Sequence, residues 1–114
     1  MRKITVMVLL GVIIATLTGC RESPESVVNS ANKCIATGNS EKVGKYAHGE
    51  MKVWLIFAAE SVKTDAKMAK RFASETVLKS TINGDTAKVE TTAATLALKK
   101  IGGNWQIIGY EDKR

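Results

Sequence analysis

The sequence predicts an α+β domain in which helices come first and a four-stranded antiparallel sheet follows. From Ser23 to about Ala73, apolar residues recur at the 3.6-residue period of a helix. From Thr76 to Tyr110 the period drops to two, as a half-buried strand requires. Two turn signals, Asn83-Gly84-Asp85 and Gly102-Gly103-Asn104, interrupt that second stretch with residues that tolerate positive φ. Helices segregated from strands in this way point to one α+β unit, because a parallel sheet would alternate the two.

Residues 1–19 read as a secretory signal peptide. Arg2 and Lys3 give the charged start, and a predominantly apolar run of 14 residues extends from Ile4 to Leu17. A membrane-spanning helix needs roughly 20 apolar residues, so the run is short for one. Leu17-Thr18-Gly19-Cys20 resembles the lipobox of bacterial lipoproteins, in which the cysteine thiol receives a diacylglyceryl group before cleavage. The resemblance implies cleavage between Gly19 and Cys20, with Cys20 left as the first residue carrying thioether- and amide-linked acyl chains. An ordinary secretory signal whose cleavage happens to leave a cysteine is the alternative. The chain then divides into the signal (1–19), a lipidated anchor with a short tether (20–22), and one domain (23–114).

Cleavage leaves 95 residues with 15 basic and 11 acidic side chains, a net charge of +4. That is enough chain for one small domain, and the basic residues are too scattered for a nucleic-acid protein. Each buried methylene of an acyl anchor contributes about 0.8 kcal/mol, so two or three chains hold effectively permanently. Only Arg21 and Glu22 separate Cys20 from the first helix signal. Roughly 10 Å of extended chain keeps the domain close to the bilayer. In enterobacterial lipoproteins an aspartate after the cysteine retains the protein in the inner membrane. Arg21 stands there, so the resemblance points to the outer membrane of a Gram-negative host, facing the periplasm. With Cys20 acylated, Cys34 is a lone thiol, read as a small buried residue or as an intermolecular disulfide.

Ser23-Pro24-Glu25 opens the first helix with a capping hydroxyl, a ring pre-set for the first turn and an anion at the positive dipole end. Val27, Val28, Ala31, Cys34 and Ile35 form its apolar stripe, and Gly38 ends it. Ser40-Glu41 starts a shorter helix with Val43, Tyr46 and Ala47 on one face, weakened by Gly44 and ended by Gly49. A third helix is expected from Glu50 to about Ala73, its seam formed by Met51, Leu55, Ala58, Val62, Ala66, Ala69 and Phe72. Val53 to Ala59 contains no polar residue, and a helix apolar all round must be covered on several sides. Packing of Trp54, Ile56 and Phe57 into the core is the expectation, with a partner or ligand as the alternative. Lys63, Lys67, Lys70 and Arg71 make a basic stripe, read as a solvated face or as a surface facing anionic head groups.

Four strands follow, at Thr76–Ile82, Thr86–Thr92, Thr95–Ile101 and Trp105–Tyr110. Ala87, Val89, Leu96, Leu98, Trp105 and Ile107 supply the buried face. Thr91-Thr92-Ala93-Ala94 carries no strong turn residue, so the second connection is the least defined.

Ser23-Pro24-Glu25-Ser26-Val27-Val28, Gly38-Asn39-Ser40-Glu41-Lys42, Asn83-Gly84-Asp85-Thr86-Ala87-Lys88-Val89 and Leu98-Lys99-Lys100-Ile101-Gly102-Gly103-Asn104-Trp105-Gln106-Ile107 occur in that order. Together they resemble small bacterial lipoproteins with a nuclear-transport-factor-2-like (cystatin-like) domain of unknown function, over about residues 23–110. The resemblance implies a curled sheet wrapped around helices, forming a cone that can hold a pocket. Such folds host isomerases, cyclases, binding proteins and dimerisation modules, so the fold leaves function to the site.

Catalysis needs a titratable group in a water-poor pocket. His48 is the only histidine and falls in a glycine-flanked turn, where exposure is expected. Asp85 reads as a turn residue, Asp112 as tail, and Asp65 as part of the charged half of the long helix. Tyr46 and Tyr110 read as core or as cone lining. One histidine and one free cysteine are too few to ligate a metal, and no nucleophile elbow or phosphate-cradling loop is present. The expected function is therefore a non-catalytic interaction module at the outer membrane, binding an envelope protein or itself, with no cofactor beyond the acyl chains on Cys20. The first alternative is a small apolar ligand held in the cone by Trp54, Phe57, Phe72 and Trp105. An inhibitor- or immunity-type lipoprotein and an isomerase-like enzyme rank below it.

Overall fold

In the computed structural model, which describes residues 22–113, helix α1 spans Pro24–Ala36. The Ser23 side chain accepts from the Ser26 amide at 3.2 Å, and Pro24 occupies the first turn, as the sequence predicts. At the other end, Asn39 N–H donates to the Cys34 carbonyl at 2.8 Å and Gly38 N–H to Ile35 at 3.0 Å, with Gly38 at φ +73°. This is the six-to-one, five-to-two pattern of a left-handed helix cap, and it satisfies carbonyls the helix leaves open. Val27, Val28, Ala31, Cys34 and Ile35 are all buried. The signal peptide and Cys20 lie outside the described residues.

Helix α2 (Ser40–Val43) is capped by the Asn39 side chain and tightens into a 3-10 turn over Gly44–Tyr46. Gly44 has a packing role beyond weakening the helix. A Cβ there would meet Ile56 Cδ1 at 3.3 Å, so its small size lets the next helix approach. Ala47 then bridges to Ile107, and His48 N–H donates to the Ile107 carbonyl at 3.0 Å.

The expected helix over Glu50–Ala73 is two helices. Helix α3 covers Glu50–Ser61, a 3-10 turn covers Val62–Thr64, and helix α4 covers Ala66–Ser74. Between them Asp65 is extended (φ −137°, ψ 93°), and its carboxylate accepts from the Met68 amide at 3.1 Å. Asp65 is therefore not a charged residue within a long helix but the N-cap that starts a new one. Asp side chains compete for backbone donors in this way, which makes them better caps than helix interiors.

Strands β1 (Val77–Asn83), β2 (Thr86–Thr91), β3 (Ala94–Ile101) and β4 (Asn104–Asp112) form an antiparallel meander in the order 1-2-3-4. Gly102 and Gly103 both have positive φ (+59° and +84°), the requirement of a two-residue hairpin turn matching the strand twist. The second connection is built by a side chain. The buried Thr91 hydroxyl accepts from Ala93 N at 3.2 Å and Ala94 N at 3.0 Å, and donates to the Glu75 carboxylate. All six residues expected on the buried face of the sheet are buried, and they pack with the α1 stripe and with Leu55 and Ala59 of α3. The α+β class holds: helices first, then one open antiparallel sheet.

Candidate apolar groove

A register shift in the sheet determines what reaches the candidate site. Leu98 pairs with Ile107 but Ala97 pairs with Gly109, leaving Ile108 as an extra residue in β4. Paired residues share a face, so Tyr110 opposite Leu96 and Asp112 opposite Ala94 point to the same side as Ile107. A strict two-residue period carried on from Trp105 and Ile107 would have turned Gly109 and Glu111 inward instead.

This inward end of β4 closes one side of a groove of about 510 Å³ whose long walls are α3 and α4. Met51, Trp54, Leu55, Phe57 and Ala58 come from α3, and Met68, Arg71 and Phe72 from α4. The Asp65 break is what makes the groove. The capped turn lets α4 pack on α1, with its Met68, Arg71 and Phe72 forming a second wall beside α3.

The expectation of core packing is overturned for Trp54 and Phe57, whereas Ile56 is partly buried against the core. Val53, Trp54 and Phe57 are 69%, 65% and 66% exposed, and within Val53–Ala59 only Leu55 and Ala59 are buried. The α1 stripe and the inner face of the sheet already fill the core, and α3 reaches it along one narrow line. Of the four aromatic wall candidates, Trp54, Phe57 and Phe72 come together in the groove. Trp105 does not: it is buried in the sheet, with the Lys100 ammonium 5.4 Å from its ring centre.

The groove has one polar end. Arg71 Nη2 stands 3.8 Å from Asp112 Oδ2, both side chains partly exposed. Beside them, the Tyr110 hydroxyl is raised above its ordinary pKa by burial and then by the Asp112 and Glu75 carboxylates, with Arg71 opposing. Asp112, read from the sequence as tail, is thus a wall residue. The basic stripe is divided by the helix break. Lys63 lies on the 3-10 turn and pairs with Glu60 at 2.8 Å, Lys67 and Lys70 lie on α4 in solvent, and Arg71 enters the groove. Hydrogen bonds from Lys63 and from Ser40 hold the Glu60 carboxyl below its usual range.

Cys34 is buried, and desolvation raises its thiol pKa despite Lys42 and Lys33 nearby. His48 is exposed, and Tyr46 is half-buried against the core. Among the described residues no cluster of three His, Cys, Asp or Glu side chains could hold a metal ion. Among the same residues no helix is long and apolar enough to cross a membrane.

No protein-family model matches the chain, and no curated protein does. A Campylobacter jejuni protein whose 2.00 Å crystal structure is named "Putative NTF2-like transpeptidase" is similar over 77% of this chain and 99% of its own. Its sequence identity is 16% and the TM-score 0.49. The fold class rests on this chain's own element order and register.

Proposed function

We propose that the chain is a lipid-anchored, non-catalytic binding module of the bacterial envelope. In this reading the acyl chains on Cys20 hold the domain beside the outer membrane on its periplasmic side, and the α3–α4–β4 groove is its binding surface. One observation carries the proposal. An apolar helix face with two large aromatics stands uncovered beside a concave groove in a small domain. Exposed apolar patches rimmed by polar residues mark interaction sites or ligand grooves. Trp and Phe are also the side chains that dominate binding surfaces.

Two occupants have the right chemistry: an apolar segment of an envelope protein, and a small apolar ligand. The groove's volume falls in the range of small-molecule pockets, about 300–1,000 Å³, while the exposed Trp54 and Phe57 beside it favour the envelope protein. Chemistry at the groove has little to work with. The described thiol is buried and kept protonated, His48 lies in an exposed turn, and the charged groups at the β4 end face each other.

Crosslinking of the full-length protein in its native envelope, followed by mass spectrometry, tests this reading. It predicts one dominant envelope component captured by the wild type and lost in Trp54→Ala. An unchanged capture profile in that variant contradicts it. The anchor has its own test: Cys20→Ser is expected to abolish palmitate labelling and leave the precursor uncleaved. Normal labelling of that variant removes the anchor from the account.

A further inference from the structure

We propose that the α3–α4–β4 groove receives the exposed α3 ridge of a second copy of this chain, and that the insertion is reciprocal. This rests on the groove being the binding surface and goes further by naming its partner. The argument is one of area and symmetry.

Val53, Trp54 and Phe57 form a ridge on the open side of α3, and Trp54 and Phe57 border the groove beside it. Trp and Phe side chains bury about 150–250 Å² each, so two-thirds exposure leaves the ridge, with Val53, roughly 350 Å² to cover. A partner that covers only the ridge matches that area once, for roughly 700 Å² in all, the size of a crystal-packing contact. Two copies that exchange ridges bury up to twice as much, roughly 1,400 Å², which reaches the range of a specific, stable interface. The chain carries ridge and groove on one patch, as an isologous dimer requires. Another protein would need its own ridge and groove at the same spacing.

The exchange also fixes the symmetry. If the two-fold axis crossed the α3 helices, both α4 helices would fall on one side of the α3 pair and compete for the same space. With the axis along α3, the two α3 helices lie parallel, each flanked by its own α4 and by that of the other copy. Glu50, Trp54, Phe57 and Ser61 recur at spacings of four, three and four, the seam of two helices packed side by side. Residues on that seam face their own counterparts across the axis. Trp54 and Phe57 then stack on the same residues of the other copy, and Ser61 approaches Ser61. Glu50 does so in solvent at the helix start, where like charges oppose the pairing only weakly. Arg71 and Asp112 stay paired with each other at the β4 end.

The test uses the full-length protein in its native envelope, as a mixture of isotopically heavy and light copies. A photoreactive phenylalanine analogue at position 57 of the light copies is expected to crosslink to residues 51–58 or 68–72 of heavy copies. Ser61→Cys is expected to form a disulfide-linked dimer, and Lys52→Cys, on the side of α3 that packs against Gly44, to form none. Adding Trp54→Ala to Ser61→Cys is expected to cut that dimer about tenfold, the loss of an anchoring aromatic. Trp54→Gln serves as a second variant, and circular dichroism confirms that each remains folded. Glu50→Gln is expected to raise the dimer fraction about twofold by removing the like-charge pair. Equal dimer from Ser61→Cys and Lys52→Cys overturns the proposal, as do indifference to both Trp54 substitutions and a fall in dimer with Glu50→Gln. If position 57 captures only a different protein, the second-copy proposal falls and the binding module stands. If position 57 captures nothing in the envelope, both fall.

Discussion

Helices α1 and α3 are nearly equal in length, at 13 and 12 residues, and opposite in design. α1 gathers its apolar residues on one stripe, and every member of that stripe is buried. α3 is apolar nearly all round, yet Val53, Trp54 and Phe57 stand in solvent. The first is what a helix needs to pack on a sheet. The second exceeds what packing uses, since Leu55 and Ala59 already secure α3 to the core. The lesson is that a continuous apolar run reports total burial only if enough neighbours exist to cover it. This small domain has one sheet and one core, and α1 takes most of the contact surface.

If that contrast is right, substitutions in the two regions separate stability from binding. The largest loss of stability is expected in the core. Leu98→Ala removes a fully buried side chain and should cost about 2–5 kcal/mol in denaturant unfolding. A cost below 1 kcal/mol would mean the sheet face is not the core described. Next comes Thr91→Val, which strips a buried hydroxyl from the β2–β3 turn and leaves the Glu75 carboxylate without that donor. A loss of about 1–3 kcal/mol is expected by the same measurement. Asp65→Ala removes the cap on which α4 starts and should cost about 1 kcal/mol, together with capture by the groove. Retained capture would show that the helix break does not shape the binding wall. At the small end, Trp54→Ala should change stability by less than about 0.5 kcal/mol while removing capture. A loss of several kcal/mol would place Trp54 in the core after all.

Cys34 gives a check that depends on pH. Its thiol pKa is raised in the folded protein, so folding favours the protonated form. That contribution is complete below the ordinary thiol range and is lost as pH rises through the folded value. Alkylation near pH 8 should therefore be slow in the folded protein and fast in denaturant. Equal rates would show that Cys34 is accessible, and would revive an intermolecular disulfide.

Much of the fold was legible in the sequence. Ser23, Pro24 and Gly38 act through local backbone chemistry, and the structure uses them as their types predict. The alternating residues of β2 and β3 placed Ala87, Val89, Leu96 and Leu98 correctly, because period two is enforced by the pleat. Less of the groove was legible. Asp65 sits within an unbroken helical periodicity, and nothing in a local window says that its carboxylate will accept from Met68 rather than point to solvent. The extra residue at Ile108 reverses the parity of β4, which hid Asp112 on the inner face, whereas Tyr110, read as core or cone lining, does line the groove. A bulge is set by pairing with β3, a long-range fact. Trp105 was misplaced for the converse reason: it was assigned both to the buried sheet face and to a ligand wall, and the fold grants it only the first.

The most direct test of the central claim, that the α3 face is covered by something in the envelope, is hydroxyl-radical footprinting. The full-length protein would be compared in its native envelope and after purification into phosphatidylcholine nanodiscs. The account predicts that Trp54 and Phe57 are protected in the envelope and oxidised once purified, while Trp105 stays protected in both. Equal oxidation of Trp54 and Phe57 in the two preparations would contradict it.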